Sequence, residues 1–69
     1  MKKKELRRIA LDEIIFLIKE AKRQKVDKRG YNVGRLSGMN TILYLNETIT
    51  ERESQKLHNI VRKLILGEK

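Results

Sequence analysis

The chain has no cysteine, no proline and no tryptophan, and His58 is its single histidine. Without cysteine there is neither a disulfide framework nor a thiol nucleophile, and one imidazole does not make a zinc-type ligand set. Only Phe16, Tyr31 and Tyr44 are aromatic. That is too few for a base-stacking platform, and no strand pattern accompanies them. Long apolar runs are missing too. The longest stretch without charge, Leu36 to Asn46, contains Ser37, Asn40 and Thr41 and falls far short of the ~20 apolar residues that span a bilayer. The start Met1-Lys2-Lys3-Lys4 imitates a signal peptide, but the apolar run behind it, Ile14 to Ile18, is short and preceded by Asp12 and Glu13. The expected location is therefore cytoplasmic, with no membrane partner.

What remains is a short, basic, helix-patterned sequence. A chain of 69 residues makes one small domain that buries roughly 60% of its unfolded surface, so tight helix packing or self-association has to compensate for a thin core. Lys and Arg number 17 against 9 Asp and Glu, for a net charge of +8, which points to an anionic partner. Residues 1–45 hold 12 of the basic and 5 of the acidic residues, whereas residues 46–69 are nearly balanced.

Leu6, Ala10, Ile14, Leu17 and Ala21, with Leu11, Ile15 and Ile18 alongside, recur at three- and four-residue steps and predict helix 1 over about residues 5–29. Gly30 would take the left-handed position after it, with Tyr31 reaching back to Val26 in a Schellman motif and Lys25, Lys28 and Arg29 over the negative end of the helix dipole. The alternative is a helix that frays near Gln24, leaving residues 25–29 as a basic loop. Asn32 would cap helix 2, about residues 33–45, on which Gly34 and Gly38 lie one turn apart. Thr50-Glu51-Arg52-Glu53 forms a capping box that opens helix 3, about residues 50–66, although Thr48 with Glu51 offers the same chemistry two residues earlier. Gly67 supplies the stop.

Both connections are short, so the expected fold is an all-α three-helix domain of two consecutive antiparallel hairpins sharing helix 2. Helix 1 would be ~36 Å long and helix 2 only ~20 Å. Helix 2 then leaves Leu6, Ile9, Leu11 and Ile15 uncovered, while Ile9 and Phe16 fall on the far side of helix 1 between Glu13 and Glu20. This predicts a homodimer built on Leu6, Ile9, Leu11, Ile15 and Phe16.

Catalysis lacks its ingredients: Ser37 and Ser54 have no base at a motif spacing, Asp12 and Glu13 point about 100° apart, and no metal, P-loop or dinucleotide pattern occurs. The expectation is a non-enzyme without cofactor or metal. Arg8, Lys19, Lys22 and Arg23 share the polar arc of helix 1, and Lys25, Lys28, Arg29 and Arg35 gather around the first turn, a cluster suited to phosphate oxygens. Helices 2 and 3 do not read as a helix-turn-helix, because the would-be recognition helix opens with Glu51 and Glu53. The first reading is a dimeric nucleic-acid-binding protein, with DNA as ligand. The second is an inhibitor or adaptor that docks on an acidic protein surface through Ile9 and Phe16 within a basic rim.

Tyr31-Asn32-Val33-Gly34-Arg35-Leu36-Ser37-Gly38, running into Asn46-Glu47-Thr48-Ile49-Thr50-Glu51-Arg52-Glu53, resembles a pattern seen in small helical accessory proteins of phages and mobile elements of Gram-positive bacteria. The resemblance covers about half the chain and consists of helix punctuation. It implies a phage or mobile-element accessory protein, a group that includes DNA-binding regulators and inhibitors of host or defence proteins.

Overall fold

Helix-period apolar residues produce three α-helices in the computed structural model, which describes residues 2–67 and has no strand among them. They are α1 (Lys3–Arg23), α2 (Gly30–Leu45) and α3 (Glu51–Leu66), with a 3-10 turn, Val26–Lys28, between the first two. Ala10, Ile14, Leu17 and Ala21 of α1, Leu36 and Leu43 of α2, and Leu57, Val61 and Leu64 of α3 form one buried core with Ile49 of the second connection. The four α1 residues share an arc of about 60° at 100° per residue, so a narrow stripe of α1 is covered on both sides.

The first connection follows the second of the two sequence expectations, a helix that ends near Gln24, rather than the stop at Gly30. α1 stops at Arg23, six residues before Arg29, because Gln24 and Lys25 both turn to extended backbone. No Schellman motif forms at Gly30, which begins α2 and lacks the positive φ seen at Gly67. Nor does Asn32 cap α2. Its amide donates instead to the Gln24 side chain at 2.9 Å, and Arg29 occupies the cap position without a side-chain cap bond. What holds the turn is Arg29 itself, whose Nε donates to the Gln24 carbonyl at 3.1 Å and whose Nη1 donates to the Leu64 carbonyl at 2.8 Å. One guanidinium thus ties the end of α1 to the last turns of α3, where orphan carbonyls await a donor.

The second connection contains a Schellman motif that has no glycine. Glu47 takes the left-handed conformation at φ 63°, and the amides of Thr48 and Glu47 donate back to the Leu43 and Tyr44 carbonyls at 2.8 and 3.1 Å, the 6→1 and 5→2 bonds of that motif. Thr48 is buried, and its hydroxyl and amide both donate to Asn46 Oδ1. Of the two capping boxes, Thr50 and Glu53 form theirs: the Glu53 amide donates to Thr50 Oγ1 at 3.2 Å and the Thr50 amide to Glu53 Oε1 at 2.9 Å. At the other end Gly67, φ 75°, closes α3, and a Cβ there would stand 3.1 Å from Val26 Cγ2.

Glu53 has a second partner. Arg7, in the second turn of α1, donates to both of its carboxylate oxygens and to the Thr48 carbonyl at 3.1 Å. The beginnings of α1 and α3 are therefore joined by Arg7, as their ends are by Arg29. The uncovered end of α1 shrinks accordingly: Leu11, expected to lack cover, packs against the core from the α3 side, while Leu6, Ile9, Ile15 and Phe16 stay exposed.

The Arg7 hydrogen bonds, reinforced by the Thr50 amide, hold the Glu53 carboxyl down to about 2. A carboxyl depressed in the folded state contributes stability above its unfolded value and loses it as pH falls toward the folded one. Resistance to urea unfolding should therefore weaken as pH drops from about 4.5 toward about 2, and Glu53→Gln should flatten that dependence; an unchanged pH profile in the variant would contradict the assignment.

Candidate interface for an anionic partner

Eight basic residues are marked by the sequence, and the structure separates them. Arg29 is spent on backbone carbonyls. Arg35 pairs with Glu13 at 3.3 Å and lies 5.9 Å over the Tyr31 ring, and Arg23 pairs with Glu20 at 3.3 Å along one helix edge. Exposed pairs of this kind contribute little to stability, yet each occupies a cation. Arg8, Lys19, Lys22, Lys25 and Lys28 are exposed and make no ion pair among the described residues. On α1, Arg8, Lys19 and Lys22 fall within about 60° of arc, an arc they share with Lys4 and Ile15.

That arc borders α3. Between the two helices runs an open apolar groove lined by Leu11, Ile14, Ile15, Ile18, Leu57 and Ile60, with Ile49 and Glu53 at one end and Lys56 on the α3 bank. Leu11 and Ile15 also line an adjoining hollow with Lys4, Arg7, Arg8 and Asp12, so the two depressions form one continuous seam. Ile15 is 50% exposed, whereas Leu11, Ile18 and Ile60 are partly buried against the core. On α3, Arg52, Lys56 and Lys63 are exposed without an acidic partner among the described residues and keep to about 40° of one edge. The seam thus has an apolar floor; Lys4 and Arg8, with Asp12 beside them, line it from α1 and Lys56 from α3, and the helical wheel continues these edges to Lys22 and Lys63.

The apolar residues assigned to one dimer surface divide in the same way. Leu11 and Ile15 belong to the seam. Ile9 and Phe16, 51% and 56% exposed, lie about 100° or more around α1, on an edge that carries Glu13 and Glu20, with Asp12 between that edge and the hollow. Leu6 is exposed on neither surface's axis, toward the α2 side. The basic rim expected around Ile9 and Phe16 is instead around Ile15.

Arg7 went unread in the sequence. Arg7 lies at the border of the buried stripe, about 20° from Ile14 on the wheel, where a charged side chain implies a partner on the neighbouring helix; that was the available signal. Nothing in the linear spacing places Lys56 across a groove from Leu11 and Ile15, because that follows from how α3 lies on α1.

Among the described residues no group of three His, Cys, Asp or Glu side chains is placed to hold a metal ion, and no helix is long and apolar enough to cross a membrane. No protein-family model, curated protein or solved structure matches the chain.

The division between structural and unpaired cations is testable without a ligand. Arg29→Ala should lower stability in urea by about 2 kcal/mol, the scale of hydrogen bonds from a charged group. Lys25→Ala should leave it within about 0.5 kcal/mol, as at an ordinary surface position. Equal effects would remove Arg29 from its structural role.

Proposed function

We propose that the protein is a non-enzymatic docking module, an inhibitor or adaptor of the phage or mobile-element type, that binds an acidic protein surface along the α1–α3 seam. The observation that carries this reading is the apolar floor between two banks of unpaired cations. A phosphodiester chain gains from the cations, by counterion release, but nothing from Leu11, Ile15, Ile18 and Ile60. An acidic protein surface uses both, because partner burial places apolar anchors at the centre and charges at the rim. Nucleic-acid binding, DNA first, is the second reading, favoured by Lys19, Lys22, Lys25 and Lys28 gathering at the end of α1 and the following turn. The arrangement we propose for the helices is two consecutive antiparallel hairpins, with Arg7 and Arg29 joining α1 and α3 start to start and end to end. A homodimer would use the separate edge of Ile9 and Phe16, and the proposed location is cytoplasmic.

Capture from nuclease-treated Gram-positive lysate distinguishes the readings when tagged wild type is compared with Lys22→Glu/Lys56→Glu. One protein retained at near-stoichiometric yield by the wild type and lost with the double reversal, at unchanged helix content, is the expected result. Recovery of nucleic acid alone, abolished by nuclease, would transfer the seam to the second reading. Retention indifferent to the reversal would contradict both.

A further inference from the structure

The seam also constrains the shape of what fills it. Resting on the acidic-partner reading above, we infer that its occupant is a single acidic amphipathic α-helix of the partner, laid along α1 and α3 as a fourth helix. Both banks of the seam are α-helices, so their backbone N–H and C=O groups are already paired along each helix. A bound strand would find no edge to pair with and would press its own unpaired backbone against Ile15 and Ile18, at a substantial cost per buried polar group. A helix satisfies its backbone internally and offers only side chains, which is how helical peptides enter apolar grooves.

The chemistry of that helix follows from the banks. Its apolar stripe, at three- and four-residue steps, meets Leu11, Ile15, Ile18 and Ile60. Asp or Glu on one flank of the stripe meets Arg8 and Lys22, and on the other flank Lys56 and Lys63. From Lys4 to Lys22 the α1 bank is about 27 Å long, so a helix of roughly 18 residues spans it. A basic or neutral helix would leave the cations of both banks facing each other across buried apolar surface without a counter-charge. A second copy of the chain is the nearest competitor, because its Ile9 and Phe16 edge carries Glu13 and Glu20. That edge is poorer in net negative charge, since Glu13 and Glu20 are engaged by Arg35 and Arg23. Edge-into-seam docking made once per pair is head to tail and extends into rings or filaments unless the two patches meet reciprocally.

The experiment is selection of a phage-displayed library of random 18-residue peptides on the full-length protein. Winners are then measured by fluorescence anisotropy against wild type, Ile15→Lys and Lys22→Glu, with circular dichroism of each variant and of each peptide. Winners should be rich in Asp and Glu and carry an apolar period of three to four residues. They should gain helicity on binding and lose about tenfold or more in affinity to Ile15→Lys, as for the loss of a central anchor, with a separate loss to Lys22→Glu, which leaves the apolar floor intact. Winners without acidic residues, winners without helical period, or no enrichment at all would overturn the inference. Acidic winners that bind Ile15→Lys as well as wild type but fail on Lys22→Glu would overturn the helix while leaving the acidic-partner reading in place. Self-association in sedimentation that both Ile15→Lys and Phe16→Lys abolish would assign the seam to a second copy and overturn it as well.

Discussion

The contact between Arg7 and Glu53 is the most specific link between α1 and α3, two helices whose backbones approach each other less closely than either approaches α2. The core supplies most of the stabilising energy through apolar burial, but burial is non-directional, and Leu, Ile and Val stripes on three helices tolerate more than one alignment. The Arg7 guanidinium does not. It reaches the Glu53 carboxylate in bidentate fashion and the Thr48 carbonyl in the same motion, a planar recognition that specifies both distance and orientation. Because Glu53 is also the third residue of α3 and closes its capping box with Thr50, one carboxylate fixes where α3 begins and where α1 lies against it. Arg29 repeats the device at the opposite end with two backbone carbonyls.

The functional surface follows from that register. Placing α1 against α3 brings Lys4 and Arg8 to one side of an apolar seam and Lys56 to the other. Two cations that look equivalent in the sequence, Arg29 and Lys28, thereby acquire different roles: one holds the fold together and the other faces solvent. The same separation applies to apolar residues. Ile15 and Phe16 are neighbours in sequence, yet one lines the basic seam and the other lies on the edge with Glu13 and Glu20.

Much of the fold was legible in the sequence because it rests on local signals. The three apolar stripes, the Thr50 and Glu53 box and the Gly67 stop each involve residues within one or two turns of each other, and each maps onto an observed helix or cap. At the first connection the sequence left two endings open, because Gly30 carries a strong C-terminal signal by residue type, while the Arg29 bond that braces the observed turn reaches the Leu64 carbonyl, 35 positions away. Glu47 escaped for the converse reason, since a Schellman motif formed on a non-glycine residue leaves no mark in composition. The site was legible as a set of cations and as a set of exposed apolar residues, but not as a pairing of the two, which needs α3 in place.

The most direct test is a double-mutant cycle on Arg7→Ala and Glu53→Gln, read by urea unfolding at neutral pH. The cycle removes the contribution that Glu53 makes to its own capping box and isolates the term shared with Arg7. If this contact sets the α1–α3 register, the double variant loses clearly less stability than the sum of the two single losses. Additive losses would show that the two side chains act independently, and the seam would then have to be derived from some other contact between α1 and α3.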